Sequence, residues 1–312
     1  MTEFGGPGPL SFQQIHVDAA RNATDDFNPF HDPRKTRLIR ANPYAGTIVL
    51  GFQLECLIAH AIALHRRAND EDEFIERHAL HFCNYQLTFA DALAPDQPFH
   101  VDIKPTLVKA APPSLANRVV IRTDERIVMI GYVRETAEPL VLGAVDIRSL
   151  PTLRAMPDRQ FVTGTGYFLK RKFMNAANAK NFLAGSLCDQ GDYFDELANR
   201  FDFPNMFPVA LISCALLEKA MNEGHDFLAD PMVYMAHTIA VDRRLARHLR
   251  SNDVLHMLVE GPATVEGERG LGKSGVKKLR FNCLGVVEAS SVLYRAEVLM
   301  APLDSIIGQS FM

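Results

Sequence analysis

Apolar and polar positions alternate along this chain with two periods, and the order of those periods predicts one plan carried out twice. From Ser11 to Asn22 apolar residues recur at helical spacing, which predicts a short amphipathic helix. A polar turn, residues 25–32 (D-D-F-N-P-F-H-D), and a polar connection, Pro33–Gly46, come next. Val49 to about Ala68 is then the most apolar helix of this half. After it, alternation with a period of two predicts strands at His81–Phe89, Phe99–Lys109, Ala116–Thr123, Ile127–Glu135 and Val141–Leu150. The second half repeats the order. A strand (Tyr167–Phe173) and a helix (Ala176–Leu187) lead to an apolar helix, Pro208–Asn222, with Pro208 suited to its first turn. Strands follow at Val233–Val241, Val254–Val265, Lys277–Val287 and Ser291–Pro302. Residues 49–61 can be laid over 207–219, which puts Cys56 on Cys214.

A long helix followed by a run of antiparallel strands argues for α+β, not for βαβ units. The halves divide in the proline-punctuated stretch Leu150–Gly164, giving units 1–155 and 156–312. One long helix wrapped by a curved sheet, twice over, is the plan of a double hotdog. Pairing the edges of two such sheets would remove two exposed edges.

Composition narrows the partners. The chain has 312 residues, 47% apolar and 22% charged, the profile of a globular protein with a large core. Its net charge of −4 argues against nucleic acid or an anionic membrane as the main partner. The stretches Thr47–Leu64 and Phe207–Leu217 are too polar or too short to cross a bilayer. The N-terminal residues lack the features of a signal peptide. Cys56, Cys83, Cys188, Cys214 and Cys283 are far apart and odd in number, which fits reduced thiols in a cytoplasm.

The candidate chemistry lies in the turn. Asp26, Asn28 and His31 fall within six residues around a proline. Taken singly, Asp26 would be a turn or capping acid and His31 a surface histidine. Taken together they are an acid–base pair at fixed spacing. The segment Asp26-Phe27-Asn28-Pro29-Phe30-His31, followed by I-V-L-G-F at 48–52, resembles the Asp-x-Asn-Pro-x-His signature and glycine-led helix of the MaoC-like dehydratases and R-specific enoyl-CoA hydratases. That resemblance implies reversible hydration of trans-2-enoyl thioesters to (3R)-3-hydroxyacyl thioesters. It makes Asp26 and His31 the catalytic pair, while Asn28 orients them or the water and the Gly51 amide faces the thioester oxygen. It calls for no metal or other cofactor. The partner it implies is an acyl thioester of coenzyme A or of an acyl carrier protein, on a monomeric pseudo-dimer or a homodimer. The family commonly has a histidine before that glycine, where this chain has Leu50.

No histidine occurs between His100 and His225, and the matching turn reads C-D-Q-G-D-Y-F at 188–194. The second half is therefore expected to complete the fold and wall an acyl pocket. Two alternatives stand beside this reading: a hotdog thioesterase, and a non-catalytic acyl-thioester-binding protein. Gly267–Ser274 satisfies the phosphate-loop expression, but strand-like alternation follows it where a helix is required, so it is read as a hairpin loop. Arg34, Lys35, Arg37 and Arg40, and likewise Arg243, Arg244, Arg247 and Arg250, are read as solvated faces. His60 and His65 are five apart, a poor spacing for a metal on one helical face. Glu55, in the apolar helix, requires a partner that sequence does not name.

Overall fold

A computed structural model describes residues 2–3, 8–143, 145, 147–265, 278–288 and 290–307. The helices are α1 (Gln14–Thr24), α2 (Gly51–Ala68), α3 (Glu71–Arg77), α4 (Ala176–Gly185), α5 (Met206–Ala210), α6 (Ile212–Asn222) and α7 (Arg243–His248), with a last short one at Leu303–Ile307. The longer strands are β1 (Phe82–Phe89), β2 (His100–Ile103), β3 (Leu107–Ala110), β4 (Pro113–Arg122) and β5 (Ile127–Thr136) in the first half. In the second they are β6 (Phe168–Phe173), β7 (Met232–Asp242), β8 (Val254–Val265), β9 (Lys278–Val287) and β10 (Ser291–Pro302).

These strands make one antiparallel sheet of twelve, in the order Thr2–Glu3, β2, β4, β5, β1, β7, β10, β9, β8, β6, Gln160–Phe161, with β3 beside β4. The halves meet at β1 and β7, whose register runs from Phe82 opposite Asp242 to Thr88 opposite Ala236. Each strand covers what would have been the other's open edge.

Alternate residues of the strands face the helices and are fully buried there: Tyr85, Val119 and Val133 in the first half, and Ile239, Met257 and Val298 in the second. Phe52, Leu57 and Phe207 fill the space from the helix side. Each such side chain contributes about 1.5–3 kcal/mol by leaving water. The straight-chain residues of α2 suit a helix, and Asn69 and Asp70, the latter at φ 53°, end it. Helices α1 and α4 approach so closely that a Cβ on Gly185 would stand 2.7 Å from the carbonyl oxygen of His16. Glycine is required there for the helices to touch.

Three elements depart from the pattern. The expected strand Phe99–Lys109 is two strands, because Pro105 has no N–H to donate to a ladder. The apolar run Val141–Leu150 is not a strand in its described part. Leu142, Val145, Ile147 and Leu150 instead cover Leu153, Val162, Leu169, Leu258, Leu284 and Val286, and Arg171 donates to the carbonyls of Leu153 (2.8 Å) and Met156 (2.7 Å). Alternation there signals a covered sheet face, not pairing. The helix expected over Pro208–Asn222 is broken at Leu211 into α5 and α6. The extra turn changes the register of the repeat. Gly51 and Ile212, the first residues of α2 and α6, lie equally far after the turn-capping residues Asn28 and Asp189, which pairs Cys56 with Leu217 and not with Cys214. The stretch Gly267–Ser274 lies outside the described residues.

All five cysteines are buried free thiols. Three of the four clustered arginines form ion pairs: Arg243 with Glu135, Arg244 with Asp242, and Arg247 with Glu76 of α3. Among the described residues no helix is long and apolar enough to cross a membrane.

Candidate functional site

The end of α1 fixes the turn. Asp25 adopts the left-handed conformation (φ 52°), and the Asp26 N–H donates to the Arg21 carbonyl at 2.8 Å, closing the helix as a Schellman-type cap. Asn28 then caps a single 3-10 turn, Pro29–His31, its side-chain oxygen accepting from the Phe30 N–H at 3.1 Å. That bond leaves the Asn28 side-chain NH2 as a donor. Pro29 needs no N–H at the start of such a turn.

Asp26 is 4% exposed and His31 5%. The Asn28 N–H donates to Asp26 Oδ1 at 2.8 Å, and Ser213 Oγ donates to Asp26 Oδ2 at 2.6 Å. Ser213 accepts in turn from the Tyr234 hydroxyl at 3.2 Å. His31 Nδ1 lies 2.8 Å from the Ile48 carbonyl, and a carbonyl only accepts, so Nδ1 carries the proton. Nε2 is then the basic nitrogen of the neutral ring. Burial pulls the His31 pKa below its ordinary 6.5, partly offset by the negative charge of Asp26 and the bond to Ile48, and helped by Arg21. The Tyr234 pKa is raised, first by burial and then by Asp26, so it remains a neutral donor.

Asn28, His31 and Gly51 line one cleft of about 170 Å³, together with Tyr44, Phe89 and Tyr234. Asp26 is behind this wall, held by Asn28 and Ser213, and reaches His31 through its charge. Gly51 opens α2 after the extended Leu50, so its N–H belongs to the unpaired first turn of the helix. A Cβ at Gly51 would come within 2.9 Å of the Phe89 ring, which keeps the amide close to whatever fills the cleft. Leu50, where the resemblance has histidine, is buried in the core.

A second cleft, of about 280 Å³, shares Asn28, Phe30, Met232, Tyr234 and Met300 with the first. It runs along α6 past Leu216, Leu217 and Phe281 to Lys219 and Glu223.

Sequence patterns missed Ser213, Tyr234 and the partner of Glu55. That partner is His237, whose Nδ1 is 2.9 Å from Glu55 Oε1, both side chains being fully buried. Glu55 lies one turn along α2 from Gly51. His237 stacks on Phe52 and meets Tyr234 edge-on at 4.6 Å. A register shift in β7 between Tyr234 and Ala236 lets Tyr234 and His237 share this region. The available signal was the polar residue in an apolar helix: Ser213 stands in α6 as Glu55 stands in α2.

The equivalent turn of the second half has the same backbone device and different chemistry. Asp189 caps Gln190–Asp192 by accepting from the Gly191 N–H at 2.8 Å. Leu187 stands where Asp26 does, and Asp192 where His31 does. Asp192 is ion-paired with Arg67 (2.9 Å) and lies 3.7 Å from His60, which also meets the Tyr193 hydroxyl at 3.1 Å. Among the described residues no group of three or more His, Cys, Asp or Glu is placed to hold a metal ion.

The arrangement supplies a neutral imidazole, a buried carboxylate and a helix-start amide around one cleft formed where the halves join. Among solved structures, a protein from Chloroflexus aurantiacus J-10-fl assigned as a MaoC domain dehydratase superposes with a TM-score of 0.56 at 8% identity, covering 95% of this chain and 93% of its own. A MaoC-like dehydratase superposes at 0.54 and 7% identity, with 96% of each chain covered. A Mycobacterium tuberculosis protein described as having a double hotdog fold superposes at 0.54 and 12% identity, over 97% of this chain and 96% of its own. The chain is a double hotdog. No protein-family model matches it, and no curated protein does. In this double hotdog the Asp26–His31 turn belongs to the first half, and the groups that hold Asp26 from the far side belong to the second.

Proposed function

We propose that this double hotdog is a hydratase/dehydratase that interconverts trans-2-enoyl and (3R)-3-hydroxyacyl thioesters. The observation that carries the reading is the placement of His31, Asn28 and the Gly51 helix start on one cleft, with buried Asp26 behind it, its charge acting on His31. Its likeness to structures named as MaoC-type dehydratases supports the same chemistry.

In the hydration direction His31 Nε2 takes a proton from a water held near the Asn28 amide, and the water oxygen forms its bond to C3. The C2–C3 π electrons move toward the thioester, whose oxygen gains enolate character and accepts from the Gly51 N–H with the helix dipole behind it. C2 then takes a proton from the Asp26–His31 pair, and the pair ends as it began. Ser213 and Tyr234 hold the carboxylate, so the second half contributes support and cleft wall while the first half supplies the turn. The substrate is carried by coenzyme A or an acyl carrier protein.

The test is turnover of trans-2-enoyl-CoA with chiral analysis of the product. Asp26→Asn and His31→Ala are expected to lower kcat by orders of magnitude in protein that melts as a folded species. Release of free thiol from a saturated acyl-CoA would make the protein a thioesterase. Tight acyl-CoA binding without turnover at any chain length would make it a binding protein.

A further inference from the structure

The second cleft has in its wall a buried lysine that the proposed chemistry does not use. Its walls are Leu216, Leu217, Phe227, Leu279 and Phe281, and Lys219 stands among them 1% exposed. The Lys219 ammonium bonds Glu223 Oε1 at 2.7 Å, and that carboxylate is 44% exposed. The cleft therefore meets solvent again near Glu223, Gly224 and Pro262, while the first cleft opens at Asp91 and Ala92. The two clefts adjoin at the five lining residues that they share, and each has exposed residues at its far end.

Charge distinguishes the two ends. The segment that delivers Tyr44 to the first cleft also carries exposed Arg34, Lys35, Arg37 and Arg40, suited to the phosphates of a thioester carrier. Of these, Arg40 is ion-paired with Asp230 at 3.1 Å. The apolar second cleft is then left for the acyl group. Lys219 follows Ser213 by six residues, about 9 Å along the axis of α6. A medium-length acyl chain whose thioester lies beside His31 thus extends toward the ammonium.

We propose that the second cleft selects acyl chains ending in a hydrogen-bond acceptor, a carboxylate or a hydroxyl, which Lys219 receives. This deepens the hydratase reading and rests on it for the direction of the chain. The Lys219 ammonium also faces the Phe161 ring, 5.5 Å from its centroid, and among the described residues its charged partner is the half-exposed Glu223, so it is satisfied without being saturated, since it has three donors. An apolar terminus would leave Glu223 as its partner. An anionic terminus would add a charge-assisted bond inside low-dielectric walls, where such bonds are strongest.

The experiment is calorimetric titration of the full chain with a medium-chain saturated acyl-CoA and its ω-carboxy and ω-hydroxy analogues of equal length. Saturated chains cannot be hydrated, so binding is read apart from turnover. The ω-carboxy ligand is expected to bind about tenfold more tightly than the plain one, with the ω-hydroxy ligand between them. Lys219→Met is expected to abolish the difference while plain-chain binding persists. Glu223→Gln, at an exposed position, removes the competing carboxylate and is expected to strengthen ω-carboxy binding severalfold. Equal binding of all three ligands by the wild type, or a preference that survives Lys219→Met, overturns the proposal. So does unchanged ω-carboxy binding in Glu223→Gln. Loss of hydratase turnover with the binding preference intact would refute the reaction and leave this site standing.

Discussion

Replacing Ser213 by alanine tests whether the second half of the double hotdog takes part in the chemistry. The hydroxyl donates to Asp26 Oδ2 at 2.6 Å and is the acceptor for Tyr234, in a buried setting. Hydrogen bonds to charged groups contribute about 1.5–3 kcal/mol, and each 1.4 kcal/mol is tenfold, so kcat is expected to fall about 10- to 150-fold. Ser213 is not part of the cleft wall, so KM is expected to stay within about twofold. Stability should also drop, by about 1–3 kcal/mol, because Asp26 keeps only the Asn28 N–H among these donors and Tyr234 loses its acceptor. Steady-state hydration of an enoyl-CoA beside urea unfolding separates the two effects. Ser213→Thr, which retains the hydroxyl, should recover most of the rate, as a merely structural filler role would not require. Wild-type kcat in folded Ser213→Ala would refute the positioning role, and so would an equal loss in Ser213→Thr.

Three further outcomes follow from the same geometry. Because burial lowers the His31 pKa, the neutral base persists below pH 6.5, and the acidic limb of kcat/KM is expected to have its midpoint under that value; a midpoint at or above 6.5 would contradict it. The stability that His31 contributes is complete above 6.5 and is lost as pH falls toward its folded pKa, since the unfolded chain takes up the proton first. Glu55→Ala or His237→Ala each strands a fully buried partner and is expected to cost about 3–5 kcal/mol in urea unfolding, whereas Glu55→Leu combined with His237→Phe should cost much less. Gly51→Ala puts a methyl 2.9 Å from the Phe89 ring, which must shift, and is expected to lower kcat/KM at least severalfold in protein that still melts as a folded species; unchanged kinetics would show that nothing approaches that amide.

The sequence alone determined the order of elements, because alternation and helical periodicity are local records of which side chains must leave water. It also determined the turn: Asn28, Pro29 and the spacing from Asp26 to His31 specify a capped 3-10 turn through bonds spanning two or three residues. Periodicity reports burial without saying what does the burying, and for that reason Val141–Leu150 read as a strand when its described residues Leu142, Val145, Ile147 and Leu150 cover the sheet. The break at Leu211, which set the register of the repeat, left no such local mark. Tertiary structure alone brought Ser213 to Asp26 across 187 positions and His237 to Glu55 across 182. Polar contacts at that separation depend on how β1 and β7 join the two sheets, and no short-range pattern encodes that pairing. A buried polar residue in sequence announces that it needs a partner; only the joined fold decides which one it meets.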